Sequence, residues 1–130
     1  MSKRYFNAKI APAALGPYSH AVIAGEFVFL SGQTGLDPAT NALAPGGIEA
    51  ETRQVLANIA SILDELGLAS SDVVKTTVFL RDMGDFAAMN AIYGTFFAAN
   101  FPARSTVQVA ALPKNGAVEI EVVARSRVAD

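Results

Sequence analysis

Apolar positions change their spacing four times along this chain, and the changes divide it into elements. Pro12, Gly16 and Pro17 punctuate the first 20 residues, which read as loop with a short strand near Arg4 to Asn7. Val22-Ile23 and Phe27 to Leu30 flank Gly25-Glu26 and predict a hairpin. Gly32 to Gly47 follows as a polar, glycine- and proline-rich excursion, and a long irregular connection beside a strand end is where sites tend to lie. From Ile48 the spacing becomes three and four, through Val55, Leu56, Ile59, Ile62, Leu63 and Leu66, which predicts an amphipathic helix closed by Gly67. Val73 to Leu80 is rich in β-branched residues and reads as a strand. A second helix carries Phe86, Met89, Tyr93, Phe96 and Phe97 on its apolar side, and Pro102 ends the connection behind it. Ser105 to Ala110 and Val118 to Ala124 complete the chain as alternating strands around a Pro113 to Gly116 turn.

The expected order is therefore β-β-β-α-β-α-β-β, an α+β fold in which each helix crosses between strands of one mixed sheet. Right-handed crossovers place both helices on the same face. The other face presents Thr76, Val78 and Leu80, or their alternates, with nothing in the chain to shield them. Association through that face is the physical solution, and it would create clefts between subunits.

Composition narrows the function. A chain of 130 residues fits one domain spanning 1-130, and 52% apolar against 17% charged residues is rich for so small a monomer, which again points to buried subunit contacts. A net charge of −2 without clustered Lys or Arg provides no footprint for a phosphate backbone, so no nucleic-acid partner is expected. The lack of Cys excludes disulfides and thiolate chemistry. No run approaches about 18 apolar residues, and polar residues interrupt the first 20, so the expectation is a soluble, uncleaved, cytoplasmic protein without a membrane partner. His20, the lone histidine, has no partner motif and reads as structural or solvent-exposed. Lys75, within a strand, is expected to pair with a nearby carboxylate. Ser31 to Gly35 lacks the lysine and the spacing of a phosphate loop.

Several blocks in order carry a more specific signal: Ala13-Ala14-Leu15-Gly16-Pro17-Tyr18-Ser19, Val28-Phe29-Leu30-Ser31-Gly32-Gln33, Lys75-Thr76-Thr77-Val78-Phe79, Asp85-Phe86-Ala87 through Asn90 and Tyr93, Pro102-Ala103-Arg104-Ser105, Val107-Gln108-Val109-Ala110, and Val118-Glu119-Ile120-Glu121. Together they span nearly the whole chain and resemble the RidA/YjgF family. The resemblance implies a chorismate-mutase-like fold of the bacillus type and a homotrimer whose sheets line a central barrel with helices outside. It also implies a ligand cleft at each subunit interface and hydrolysis of 2-enamino and 2-imino acids, such as 2-aminoacrylate, to 2-oxo acids and ammonia. No metal, flavin, nicotinamide or pyridoxal group is needed for that chemistry.

Residue by residue, Arg104 looks like the family arginine that grips the substrate carboxylate, a task suited to a planar guanidinium with paired donors. Without the signature, a strand arginine is commonly a solvated or salt-bridged residue. Glu119 resembles the family acid that positions or deprotonates water, and alternation sets it beside Glu121 on one side of the last strand. Two exposed glutamates on a polar face is the plainer reading. Tyr18 would flank the ligand, Ser31 and Gly32 would approach it at a strand terminus, and Asn90 would help close the cleft or else cap backbone groups. Thr106 stands where many relatives carry cysteine, so a thiol contribution is excluded, but backbone groups there would persist, and donors and acceptors near Ser31 and Thr106 would bind the substrate and orient its C=N group. The Phe97 to Pro102 connection looks short for the family and is expected to reshape one pocket wall. Two other uses of the fold stay open: a non-catalytic metabolite sensor, and a ribonuclease or translation inhibitor, which the acidic balance disfavours.

Overall fold

The computed structural model of the chain describes residues 3–127. Its elements run β1 (Lys3–Phe6), β2 (Ala21–Ala24), β3 (Phe27–Thr34), a short pair β4 (Leu36–Asp37) and β5 (Ala42–Leu43), α1 (Gly47–Glu65), β6 (Val73–Leu80), α2 (Phe86–Phe97), β7 (Ala103–Gln108) and β8 (Val118–Arg125). Six strands form one sheet in the order β1-β2-β3-β8-β6-β7, antiparallel throughout except for the parallel β6–β7 pair. This is the expected α+β order with one addition, the β4–β5 pair inside the Gly32 to Gly47 excursion. Two-residue strands leave no periodicity to read.

Both helices lie on one face and pack against each other. The stripe Val55, Leu56, Ile59, Ile62 and Leu63 of α1 is buried against Val28 and Leu30 of β3, Val78 and Leu80 of β6, and Ile120 and Val122 of β8. Burying each such side chain stabilises the fold by roughly 1.5–3 kcal/mol before entropy is counted. The helix ends where the sequence forecast: Gly67 takes φ 74, its N–H reaches the Asp64 carbonyl, and Leu68 N–H reaches Leu63. That pattern needs a residue at ease in left-handed backbone.

Thr76, Val78 and Leu80 turn out to face the helices and are buried. Their alternates Lys75, Thr77 and Phe79 occupy the uncovered face, together with Glu119, Glu121 and Val123 of β8 and the exposed rings of Phe27 and Phe29. The bare face therefore exists and mixes charge with aromatic surface.

One irregularity positions the site. Between Leu30 and Gln33 the ladder to β8 slips, three steps on β3 answering two on β8, from Leu30↔Val122 to Gln33↔Ile120. The extra residue is a β-bulge at Ser31-Gly32, and it lets both Leu30 and Gln33 turn inward. The alternation Val28, Leu30 breaks phase here, which is why the sequence reading stopped the strand at Leu30.

Candidate functional site

The candidate residues assemble into two groups on opposite faces of the sheet. The first surrounds Arg104 on the helix face of β7, directly opposite Thr76 of β6. Phe86, Asn90, Tyr93 and Phe97 recur at spacings of four, three and four along α2, so one stripe of that helix overlies Arg104. Arg104 Nη1 donates to Asn90 Oδ1 at 2.7 Å, and its Cζ lies 4.7 Å from the Tyr93 ring centroid and 5.5 Å from that of Phe86. Asn90 thus engages the guanidinium rather than a helix end. Nε and Nη2 make no hydrogen bond among the described residues, and the group borders a hollow of about 420 Å³ walled by Asn90, Tyr93, Gly94, Phe101 and Pro102. The connection ahead of β7 supplies Phe101 and Pro102 and holds Ala98 and Asn100 at φ 63 and 53. Two residues farther along β7, the Thr106 hydroxyl is buried without a hydrogen-bond partner among the described residues.

The second group lines a cleft of about 600 Å³ at the bulge, with walls including Leu15, Tyr18, Ser31, Gly32, Pro113, Glu119 and Glu121. Alternation turns Val118, Ile120 and Val122 into the core and Glu119 and Glu121 to the other side. The Glu119 carboxylate lies over the Cα of Gly32, in the space where any Cβ at that position would sit. Burial, and then the neighbouring Glu121 charge, push its pKa above the usual carboxylate range. Ser31 Oγ donates to the Ser19 carbonyl at 2.7 Å, so toward a ligand the hydroxyl is left to accept. The Tyr18 hydroxyl accepts from the Leu15 N–H at 3.3 Å, folding the loop into a compact wall.

The wall is anchored from behind. His20 is 2% exposed, with Nδ1 accepting from Ala8 N–H at 2.9 Å and Nε2 paired with the Pro12 carbonyl at 2.7 Å, so the lone histidine is a neutral structural tie. Glu65, at the end of α1, accepts from the N–H groups of Lys9 and Ile10, and these bonds draw its pKa down. Lys75 makes no ion pair among the described residues, contrary to expectation; it borders a small hollow on the open face with Glu121. No three His, Cys, Asp or Glu side chains gather as a metal site among the described residues, and no helix there is long and apolar enough to cross a membrane.

Arg104, Asn90 and Thr106 are thus brought together, as are Tyr18, Ser31, Gly32 and Glu119, while the two sets are not joined within one chain. The sequence reading gave no site role to Thr76, Phe86 or Tyr93, although all three fall within its motif blocks. The spacing of 86, 90 and 93 was the signal that they share a face with Asn90.

Comparison with known proteins adds an independent line. The endoribonuclease L-PSP family model matches residues 8–126. A goat (Capra hircus) protein named 2-iminobutanoate/2-iminopropanoate deaminase is 49% identical over 122 residues, 94% of this chain and 89% of that one. A cattle (Bos taurus) protein of the same name is 51% identical over 114 residues, covering 88% and 83%. A Yersinia pestis crystal structure, described as a protein of unknown function of the conserved Rid protein family, shares the fold at TM-score 0.92 and 43% identity, over 95% of this chain and 99% of that one. With a match running through both half-sites and every strand of the main sheet but the first, the chain belongs to the endoribonuclease L-PSP family, the RidA/YjgF family its motif blocks resemble.

Proposed function

We propose that this chain is a deaminase that adds water to 2-imino acids, the tautomers of 2-enamino acids such as 2-aminoacrylate, and releases a 2-oxo acid and ammonia. The observation that carries this reading is the pairing of a guanidinium with unengaged donors and a half-buried carboxylate whose pKa is raised. Arg104 takes the substrate carboxylate through its free edge, giving two charge-assisted bonds and a fixed orientation. The buried Thr106 hydroxyl and the Ser31 oxygen orient the C=N group. Glu119 accepts a proton from water as the oxygen adds to carbon, and the carbinolamine collapses with loss of ammonia. A protonated imine is already electrophilic, so the protein contributes mainly placement and modest proton handling.

Because the two half-sites lie on opposite faces of one sheet, a complete site takes one half from each of two chains. A homotrimer packed through the bare faces of β3, β8 and β6, its cleft at each interface and its site of action in the cytosol, accounts for this arrangement. The Glu119 half of the cleft carries two carboxylates and no cation, and the other half brings only Arg104 to face them, which disfavours a phosphodiester and with it the ribonuclease reading.

The test couples the protein to a pyridoxal-dependent dehydratase that generates imines from several amino acids and follows 2-oxo acid release. Arg104→Ala should lower kcat/KM by at least about 100-fold with the fold intact. Glu119→Gln should lower kcat while 2-oxo acid affinity is retained; equal imine lifetimes with and without the wild-type protein would favour a sensor instead. Near-normal turnover by Arg104→Ala removes the proposed role.

A further inference from the structure

The Arg104 side of the site contains a support that the reaction scheme does not use. Tyr93 is 4% exposed, and its hydroxyl lies 2.7 Å from the Oγ1 of Thr76, itself 1% exposed. The ring is packed against Phe97, centroids 4.7 Å apart, so it is fixed both at its hydroxyl and along its side. Thr76 is also the residue across the β6–β7 ladder from Arg104. Backbone pairing therefore sets where Arg104 emerges, and the side chain of the same threonine sets the ring on which its guanidinium rests. An arginine otherwise carries four side-chain torsions, and ordering them costs rotamer freedom.

We propose that Tyr93 is a positioning residue for Arg104, with Thr76 locking the tyrosine ring: together they hold the guanidinium plane, before substrate arrives, with its Nε–Nη2 edge toward the pocket. The inference rests on the carboxylate-binding reading for its effect on turnover, but not for its effect on the arginine. The ring face attracts the cation electrostatically and shields one of its planes from water, which leaves the in-plane donors for the ligand. Asn90 then fixes rotation within that plane through Nη1. Burial holds the phenol above its ordinary pKa, so the ring stays neutral and its hydroxyl bonded across the working pH range.

Two measurements separate this role from simple packing. In the first, the Nε–Hε resonance of Arg104 is followed by 15N NMR without any substrate. It should be sharp and shifted by the ring in wild type, still ring-shifted but broader in Tyr93→Phe, which keeps the ring and loses the Thr76 lock, and displaced or lost to exchange in Tyr93→Leu. In the second, KM and kcat are measured for imine hydrolysis, with pyruvate affinity in parallel. Tyr93→Leu should raise KM and weaken pyruvate binding about tenfold while kcat changes about twofold or less, and Tyr93→Phe, which keeps the ring, should restore most of the affinity. Thr76→Val should resemble Tyr93→Phe, since both break the same hydrogen bond and leave the ring.

A structural role alone would make Phe and Leu variants fail in proportion to their melting temperatures, with no split between KM and kcat, and that pattern overturns the proposal. So does an Arg104 resonance unmoved by Tyr93→Leu. If the resonance moves as expected but wild type does not hasten imine loss, the positioning role stands and the deaminase reading is what fails.

Discussion

Glu119 and Gly32 act as one unit at the level of single residues. Because the carboxylate occupies the space of the missing Cβ, Gly32→Ala should push Glu119 aside and reproduce the kinetic defect of Glu119→Gln. Steady-state kinetics on the two variants check this, and a Gly32→Ala chain with normal kcat refutes the coupling. The raised pKa of Glu119 has two further consequences. As a base it must be ionised, so kcat should rise with pH along a limb above the ordinary carboxylate range. Removing the second cause of the shift, by Glu121→Gln, should move that limb to lower pH, as a pH–rate profile would reveal. For stability the sign reverses: a carboxyl whose folded pKa exceeds its unfolded one favours folding while protonated, and that benefit is lost as pH rises through the folded value. Ionised Glu119 is thus a strain on the fold at neutral pH, and Glu119→Gln should melt above wild type there. The sequence made Glu119 legible by alternation beside Glu121, but its burial depends on a bulge in a strand far away in sequence. Thr106 and Tyr93 were harder to read, since an unpartnered hydroxyl or a ring beneath a cation is defined only by what surrounds it.

Whole elements were legible where their periodicity was long. The α1 stripe and its Gly67 terminus, the β6 run and the aromatic face of α2 all follow from spacing and lie where expected. Faces were less certain, because Thr76, Val78 and Leu80 alternate perfectly without saying which side the helices cover. The segment from Asn7 to His20 carried no periodic signal at all, yet its backbone is tied down along its length: Ala8, Lys9 and Ile10 donate to His20 and Glu65, Pro12 accepts from His20, and Ser19 accepts from Ser31. Glu65 keeps a lowered pKa through those bonds, so its contribution is present above the unfolded carboxyl pKa and lost as pH falls through the folded one. Glu65→Ala should speed amide exchange at Lys9 and Ile10 by about tenfold or more while the core strands keep their protection. Unchanged exchange there would show that the carboxylate is not what secures the segment. Since that segment leads into Leu15 and Tyr18, the same variant should raise KM more than it alters kcat.

For the molecule as a whole, the decisive fact is that Arg104 and Glu119 leave the sheet on opposite sides. Sequence motifs put both in one catalytic scheme, and only the strand register revealed that a single chain keeps them apart. Complementation tests the shared cleft directly. Arg104→Ala and Glu119→Gln chains, each expected to be impaired alone, should regain activity when unfolded and refolded together, because under the proposed arrangement one interface type in the mixed assembly combines both intact halves. Random assembly from equal amounts predicts about a quarter of wild-type activity if, as proposed, each cleft draws its two sides from different chains. Co-refolded material no more active than the separate variants would return both groups to one chain, or remove one of them from the reaction.

The bulge at Ser31-Gly32 also constrains how the chain can vary. One extra residue there is what departs from a regular ladder, so deleting either would leave two steps between Leu30 and Gln33 against two on β8, keep Gln33 facing inward, and iron out the bulge beside which the Glu119 carboxylate lies. Length is therefore fixed at this point even where identity has some freedom, whereas the turn between β4 and β5 can gain or lose residues at little cost. Heritable change in this protein should accordingly arrive as substitutions within β3 and as insertions beyond it.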